Sequence, residues 1–151
     1  MASEWSNGKR CGVAIAALLL LGACSPQYGW QDSESQQQID VPARISELPV
    51  HVELDPGYEA AEDFVQRLTV RQGESEYTLS RPDLETPFLV SLDQPSQIAE
   101  LSLIVGFCES TEKEVCFVET ASVTLQPQRE RENENSGESR FELTYRPRPP
   151  L

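Results

Sequence analysis

The sequence predicts an all-β protein built as an antiparallel sandwich, and three observations lead to this prediction. Seven short runs alternate apolar and polar residues with the period of two that a half-buried strand requires. Turn-forming residues separate the runs, as at Asp55-Pro56-Gly57 and at Gly73. No segment has the pattern of a long amphipathic helix, so sheet-on-sheet packing is the expected way to bury the apolar positions.

The seven runs lie between residues 50 and 145. Their apolar positions are Val50, Val52 and Leu54; Leu68 and Val70; Tyr77 and Leu79; Phe88, Val90 and Leu92; Leu101, Leu103, Val105 and Phe107; Phe117, Val123 and Leu125; and Phe141, Leu143 and Tyr145. Residues 58–63 are expected to form at most one helical turn. The charged segment 126–139 separates the seventh run from the others, so that strand is expected at an edge of the domain or outside it. The proline-rich end cannot continue a sheet.

The first 23 residues have the organisation of an export signal. Two basic residues precede an apolar run, 12–21, which is shorter than the roughly 20 apolar residues that a bilayer-spanning helix needs. The next four residues, Leu-Gly-Ala-Cys, resemble the lipobox of bacterial lipoproteins. The resemblance implies that Cys24 becomes the mature N-terminus and carries a diacylglycerol, with a further acyl chain such as palmitate on its amine. Several acyl chains together give stable membrane anchoring. The alternative is an ordinary signal peptide in which Cys24 has no special role.

The residue after Cys24 indicates the membrane. Ser25 stands where an aspartate would favour retention in the inner membrane under the sorting rule of enteric-type bacteria, so the outer membrane, facing the periplasm, is the expected location. The chain then divides into four parts. These are a signal peptide at 1–23, the lipidated cysteine and a flexible polar linker at 24–41, a sandwich domain at 42–126, and a charged loop, possible last strand and proline-rich tail at 127–151.

The charge of the chain excludes some partners. It has 25 acidic and 12 basic residues and a net charge of −13. Removal of residues 1–23 takes away one acidic and two basic residues, which leaves 24 acidic and 10 basic residues and a net charge of −14. This balance argues against nucleic acid, because phosphates require a surplus of lysine and arginine. It also opposes docking on anionic lipid, so the acyl chains must supply the attachment to the bilayer.

Cysteine usage leaves one pair after export. Cys11 leaves with the signal peptide and Cys24 is used by the lipid, which leaves Cys108 and Cys116 in an oxidising compartment. Seven residues separate these two, and they form a polar loop between two apolar runs. This pattern predicts a hairpin with the cysteines at facing positions. A disulfide there would contribute about 2–3 kcal/mol by restricting the unfolded chain.

The hairpin carries two resemblances. Residues 101–125 look like the last hairpin of the small β-sandwich domain at the C-terminus of thioredoxin-type proteins with NHL repeats, and residues 51–58 (HVELDPGY) resemble the start of that domain. The hairpin also resembles the immunoglobulin-like N-terminal domain of the thiol:disulfide interchange protein DsbD. These resemblances imply an immunoglobulin-like sandwich and a redox role for Cys108 and Cys116. The spacing of the two cysteines is longer here than in the DsbD pattern.

The local charges favour a structural disulfide over a redox-active one. Four carboxylates and one opposing lysine surround the pair in the sequence, and such a setting disfavours a thiolate. The charged residues are Glu109, Glu112, Lys113, Glu114 and Glu119. Thiol-disulfide exchange by Cys108 and Cys116 therefore stays the alternative.

Other chemistry has little support in the sequence. His51 is the single histidine, and neither a metal-ligand spacing nor a catalytic triad can be assembled around it. The remaining carboxylates are expected to form a solvated surface. We therefore expect neither a cofactor nor a catalytic residue. The predicted function is a non-catalytic interaction or assembly module, anchored in the bilayer by its acyl chains, that binds another envelope protein through a sheet edge or loop.

Overall fold

The computed structural model describes residues 27–30, 37–112, 115–128 and 141–148. Ten strands lie in these ranges: β1 (Gln27–Trp30), β2 (Gln37–Pro42), β3 (Glu47–Val52), β4 (Tyr58–Ala60), β5 (Gln66–Gln72), β6 (Ser75–Arg81), β7 (Phe88–Ser91), β8 (Ala99–Glu109), β9 (Cys116–Gln128) and β10 (Glu142–Tyr145). The described residues contain no helix, and their strands form two sheets packed together. The predicted all-β sandwich is confirmed.

The smaller sheet has four strands in the order β1-β10-β3-β7. The larger sheet has the order β2-β9-β8-β5-β6, and β4 pairs with β8 beyond the end of β5. Three of the strand pairs are parallel, namely β1 with β10, β10 with β3, and β2 with β9. The remaining pairs are antiparallel, and the longest of them, β8 with β9, forms the hairpin that the cysteine pattern predicts.

The core lies between the two sheets and follows the period-two alternation of the strands. On β8, for example, Leu101, Leu103, Val105 and Phe107 are buried, and their register partners on β9 share the same face. The largest fully buried side chain is that of Tyr145, on β10. Burial of these side chains is the main force that holds the two sheets together.

Three strands, β1, β2 and β10, extend the sandwich beyond the predicted limits of 42 and 126. β2 lies in the segment expected to be linker, where Ile39 and Val41 alternate with polar residues and are buried in the core. β10 was expected at an edge or outside the domain, but it lies between β1 and β3. Its Leu143 and Tyr145 are fully buried, and that apolar content explains its inner position despite the charged segment before it.

The segment expected to form a helical turn instead begins as a strand. Tyr58–Ala60 is β4 and pairs with the far end of β8, so that Glu59 lies opposite Cys108. None of the described residues belongs to a helix that is long and apolar enough to cross a membrane.

Candidate functional site

The predicted disulfide is present at the end of the β8–β9 hairpin. Cys108 and Cys116 are register partners, with their Cα atoms 4.0 Å apart and a bond between their sulfur atoms. The neighbouring backbone bond, from the Glu109 N–H to the Val115 carbonyl, shows that the cysteines occupy a non-hydrogen-bonded pair of the ladder. Cα atoms approach most closely at such pairs. The register of the hairpin therefore brings the two cysteines close enough to form the disulfide.

The disulfide lies on the outer face of the larger sheet. Phe107 points into the core, so the next residue along the strand, Cys108, points outward. Cys108 is 7% exposed, whereas Cys116 is exposed to solvent. The two sulfur atoms are therefore not equivalent toward a partner, since only Cys116 is open to solvent.

An aromatic cluster supports the same part of the hairpin from the inner face. Tyr58, Phe107 and Phe117 lie with ring centroids 5.6 to 6.2 Å apart, and the two pairs that involve Tyr58 are edge-to-face. Such aromatic pairs are worth about 0.5–1.5 kcal/mol each beyond the burial of their area. The cluster packs under the end of the hairpin, on the face opposite the disulfide.

A gap between β4 and β5 leaves the backbone of Gly106 without a strand partner on that side, and one side chain fills the gap. The amide of Gln66 donates to the Gly106 carbonyl at 3.0 Å and accepts from the Gly106 N–H at 2.8 Å. The Ala61 N–H also donates to the Gly106 carbonyl, at 3.0 Å. Gln66 is fully buried, and these bonds satisfy a polar group that would otherwise be costly to bury.

Phe64 covers Gly106 on the outer face. A Cβ atom at position 106 would lie 2.4 Å from the Cγ of Phe64, so only glycine permits this approach. Val118 is the register partner of Gly106 and shares its outer face. Val118 is 60% exposed and Val65, next to Phe64, is 47% exposed. We call Phe64, Val65, Val118 and the exposed Cys116 the hairpin patch.

Acidic residues border the hairpin patch. Glu59 shares the outer face with Cys108, and Glu62, Asp63 and Glu112 are exposed in the adjoining loops. Arg67 is exposed on the side of β5. Farther along this face the sheet changes to hydroxyl side chains, with Thr69, Ser102 and Ser122 lining a shallow depression.

Glu119 does not belong to the acidic setting of the disulfide. It follows Phe117 by two residues and therefore points to the inner face. There its Oε2 accepts hydrogen bonds from the Tyr145 hydroxyl at 2.9 Å and from the Arg148 N–H at 3.3 Å. Glu119 thus ties the C-terminal end of the described chain to β9, and its charge is directed away from the cysteines.

The remaining predicted positions lie elsewhere. Cys24, the predicted lipidation site, lies outside the described residues, as do Lys113 and Glu114. His51 is half-buried on β3, with its Nε2 3.7 Å from Glu142 Oε2. Among the described residues, no group of three or more histidine, cysteine or carboxylate side chains could hold a metal ion.

The hairpin patch was not among the predicted sites, although the sequence contains one signal of it. In β9 the core-facing positions alternate from Phe117 to Leu125, and Val118 is an apolar residue out of phase with them. Nothing in the sequence indicates that Phe64 lies on Gly106, because 41 residues separate them. No known family model matches the chain, and no curated protein matches it either.

Proposed function

We propose that this protein is a membrane-anchored lipoprotein that faces the periplasm and binds another envelope protein through the hairpin patch. The exposure of Val118 beside Phe64 is the observation that carries the proposal. Exposed apolar side chains that lie together are typical of a surface that a partner covers. The acidic border favours a partner whose apolar contact surface is bordered by lysine or arginine.

The N-terminal sequence supports the anchoring part of the proposal. In cells given a labelled fatty acid, the wild type is expected to take up the label, and Cys24→Ala is expected to accumulate as an unlabelled precursor. Cys11→Ala provides a matched control, since it also removes a cysteine from the N-terminal region but leaves the lipobox intact. Normal processing of the Cys24→Ala variant would exclude lipidation at this position.

The binding part can be tested with two charge substitutions on one sheet face. Val118→Asp places a carboxylate in the hairpin patch, and Ser122→Asp places one on the same face of β9 in the hydroxyl-lined region. Envelope proteins that copurify with the wild type are expected to be lost with Val118→Asp and retained with Ser122→Asp. The same recovered set with all three proteins would contradict binding through the patch.

A second candidate function is thiol-disulfide exchange by the Cys108–Cys116 pair, favoured by the exposure of Cys116. A partner thiolate would attack the sulfur of Cys116, the bond to Cys108 would break, and Cys108 would leave as the thiolate. Glu59, opposite Cys108, disfavours that thiolate, so the binding function is preferred. A Cys108→Ser variant would leave Cys116 free to hold a mixed disulfide. Trapping of a defined partner through Cys116 would support the exchange reaction.

A further inference from the structure

The edge strands of the two sheets differ in how they are protected. β7 ends the smaller sheet with four residues, and the Tyr77 hydroxyl occupies both outward groups of its Ser91, accepting from the N–H at 2.8 Å and donating to the carbonyl at 2.7 Å. β6 ends the larger sheet with seven residues and contains neither a proline nor a lysine. Unpaired edges of this kind are where a sheet accepts another strand.

The register of the β5–β6 hairpin identifies the backbone groups at this edge. Its two-residue turn has Gly73 at the first central position with φ of 60°, and the turn is closed by the pair of Gln72 with Ser75. The closing pair of such a turn is hydrogen-bonded, so every second residue of β6 after Ser75 also bonds to β5. The N–H and carbonyl groups of Glu76, Thr78 and Ser80 therefore point away from the sheet, and no described residue bonds to them.

We propose that two copies of the protein form a symmetric dimer by antiparallel pairing of β6 with β6, centred on Thr78. In this register Thr78 pairs with Thr78 of the second copy, and Glu76 pairs with Ser80 of the second copy on both sides of the axis. All three outward residues then exchange backbone hydrogen bonds across the interface. The dimer uses the free edge of β6, whereas Cys116 and Val118 of the hairpin patch lie on β9, on the far side of β8 and β5.

The side chains of β6 are complementary to themselves in this register. On the inner side, half-buried Tyr77 lies opposite Leu79 of the second copy, and the symmetry provides this apolar pair twice. On the outer side, the Thr78 hydroxyls of the two copies face each other at the axis, and each Glu76 lies opposite Ser80 of the other copy. Cross-strand apolar pairs stabilise a sheet, whereas like charges directly opposite destabilise it. No like-charged pair arises among the residues of β6.

The neighbouring registers that keep these backbone groups paired are less favourable for specific reasons. A shift toward the turn centres the pairing on Tyr77, which then faces Tyr77 of the second copy while Leu79 faces Ser75, so the two apolar Tyr77–Leu79 pairs are lost. A shift in the other direction centres the pairing on Leu79 and places Pro82 opposite Glu76 of the second copy, and proline has no N–H to donate. The side chains of β6 therefore favour the register centred on Thr78, and this self-complementarity is the reason for assigning a second copy as the occupant.

The net charge predicts how the association responds to salt. Each copy carries a net charge of −13 before processing, so the two copies repel each other at long range. Salt screens such repulsion over a length of about 10 Å at 0.1 M. The dimer fraction is therefore expected to rise with sodium chloride concentration, whereas binding of a basic partner at this edge would fall.

Cysteine cross-linking tests the register in the membrane-anchored full chain. Thr78→Cys places two thiols on the axis, where the Cα atoms of a hydrogen-bonded pair lie about 5.5 Å apart, within the range that a disulfide spans. This variant is expected to run as a disulfide-linked dimer on a non-reducing gel. Ser122→Cys, exposed on the same face but on β9, is expected to remain monomeric. Monomers from Thr78→Cys, or equal dimers from both variants, would overturn the proposal.

A second cross-linking measurement and a mass measurement complete the test. Glu76→Cys and Ser80→Cys are expected to cross-link when co-expressed and not when each is expressed alone, since only the mixed pair faces across the interface. By light scattering of the full chain in detergent, the wild type and Ser122→Asp are expected to dimerise and Thr78→Asp to stay monomeric. A monomeric wild type at high salt would refute the dimer without affecting the proposed patch. Absence of partner binding at the patch, with dimerisation intact, would contradict the proposed patch without affecting the dimer.

Discussion

The contact between Gly106 and Phe64 makes the sharpest prediction about stability. In Gly106→Ala, the new Cβ would lie 2.4 and 2.5 Å from the Cγ and Cδ1 of Phe64 and 3.0 Å from its Cβ. These atoms are at the root of the side chain, so a rotation of the ring cannot remove all three overlaps. Overpacking of this kind typically costs about 1–3 kcal/mol, and we expect a loss in that range.

A double-mutant cycle separates the overlap from other effects of the substitution. Phe64→Ala alone should cost about 1 kcal/mol, because the ring is only half-buried. In the double variant the overlap disappears, so its loss of stability should be smaller than the sum of the single losses by about 0.5–3 kcal/mol. The free energies of unfolding come from urea titrations of the four proteins, followed by circular dichroism.

Gly57→Ala provides the matched control. Gly57 has φ of 97°, so alanine is strained there, but no atom lies within 4 Å of the added Cβ. Its cost is therefore expected to add to that of Phe64→Ala without coupling. Additivity in the Gly106 cycle, within about 0.5 kcal/mol, would refute the packing of Phe64 on Gly106.

Three further predictions concern the Tyr77 hydroxyl, the Tyr145 hydroxyl and the Cys108–Cys116 disulfide. Burial raises the pKa of the Tyr77 phenol, against the opposing effect of its hydrogen bond to the Ser91 backbone and with a smaller increase from the charge of Asp93. The folded state therefore favours the neutral phenol. The resulting contribution to the free energy of unfolding is complete below pH 10 and is lost as the pH rises through the pKa of the folded state. Urea titrations at rising pH should show a steeper loss of stability for the wild type than for Tyr77→Phe. Tyr145→Phe removes the donor to the Glu119 carboxylate and is expected to lower the free energy of unfolding by about 1.5–3 kcal/mol, with Thr144→Ser as a conservative neighbouring control. Replacement of both hairpin cysteines by serine should cost about 2–3 kcal/mol in the same titration, and an unchanged midpoint would contradict a stabilising disulfide.

The sequence predicted the features that depend on residues close together in the chain. The alternation within 101–125 gave the hairpin, and the spacing of Cys108 and Cys116 gave their facing positions, which the structure confirms. The same alternation, applied residue by residue, would also have placed Glu119 on the face opposite the cysteines. Grouping Glu119 with the cysteines because it is near them in the sequence ignores that successive residues of a strand lie on opposite faces.

The features that the sequence did not predict depend on contacts between distant segments. The position of β10 between β1 and β3 follows from the burial of Leu143 and Tyr145, but parallel pairing with a strand about 90 residues earlier has no local signal. The hairpin patch depends on Phe64 lying over Gly106, a residue that is distant from it in the sequence. β2 could have been recognised, because Ile39 and Val41 alternate within a polar segment.

Site-specific photo-cross-linking tests directly whether the hairpin patch contacts a protein in the cell envelope. A photoreactive amino acid is placed at position 118 of the full chain in living cells, and at position 122 as the control on the same face of β9. Binding through the patch predicts a defined heterologous adduct from position 118 that is absent from position 122. No adduct from position 118, or the same adducts from both positions, would contradict it.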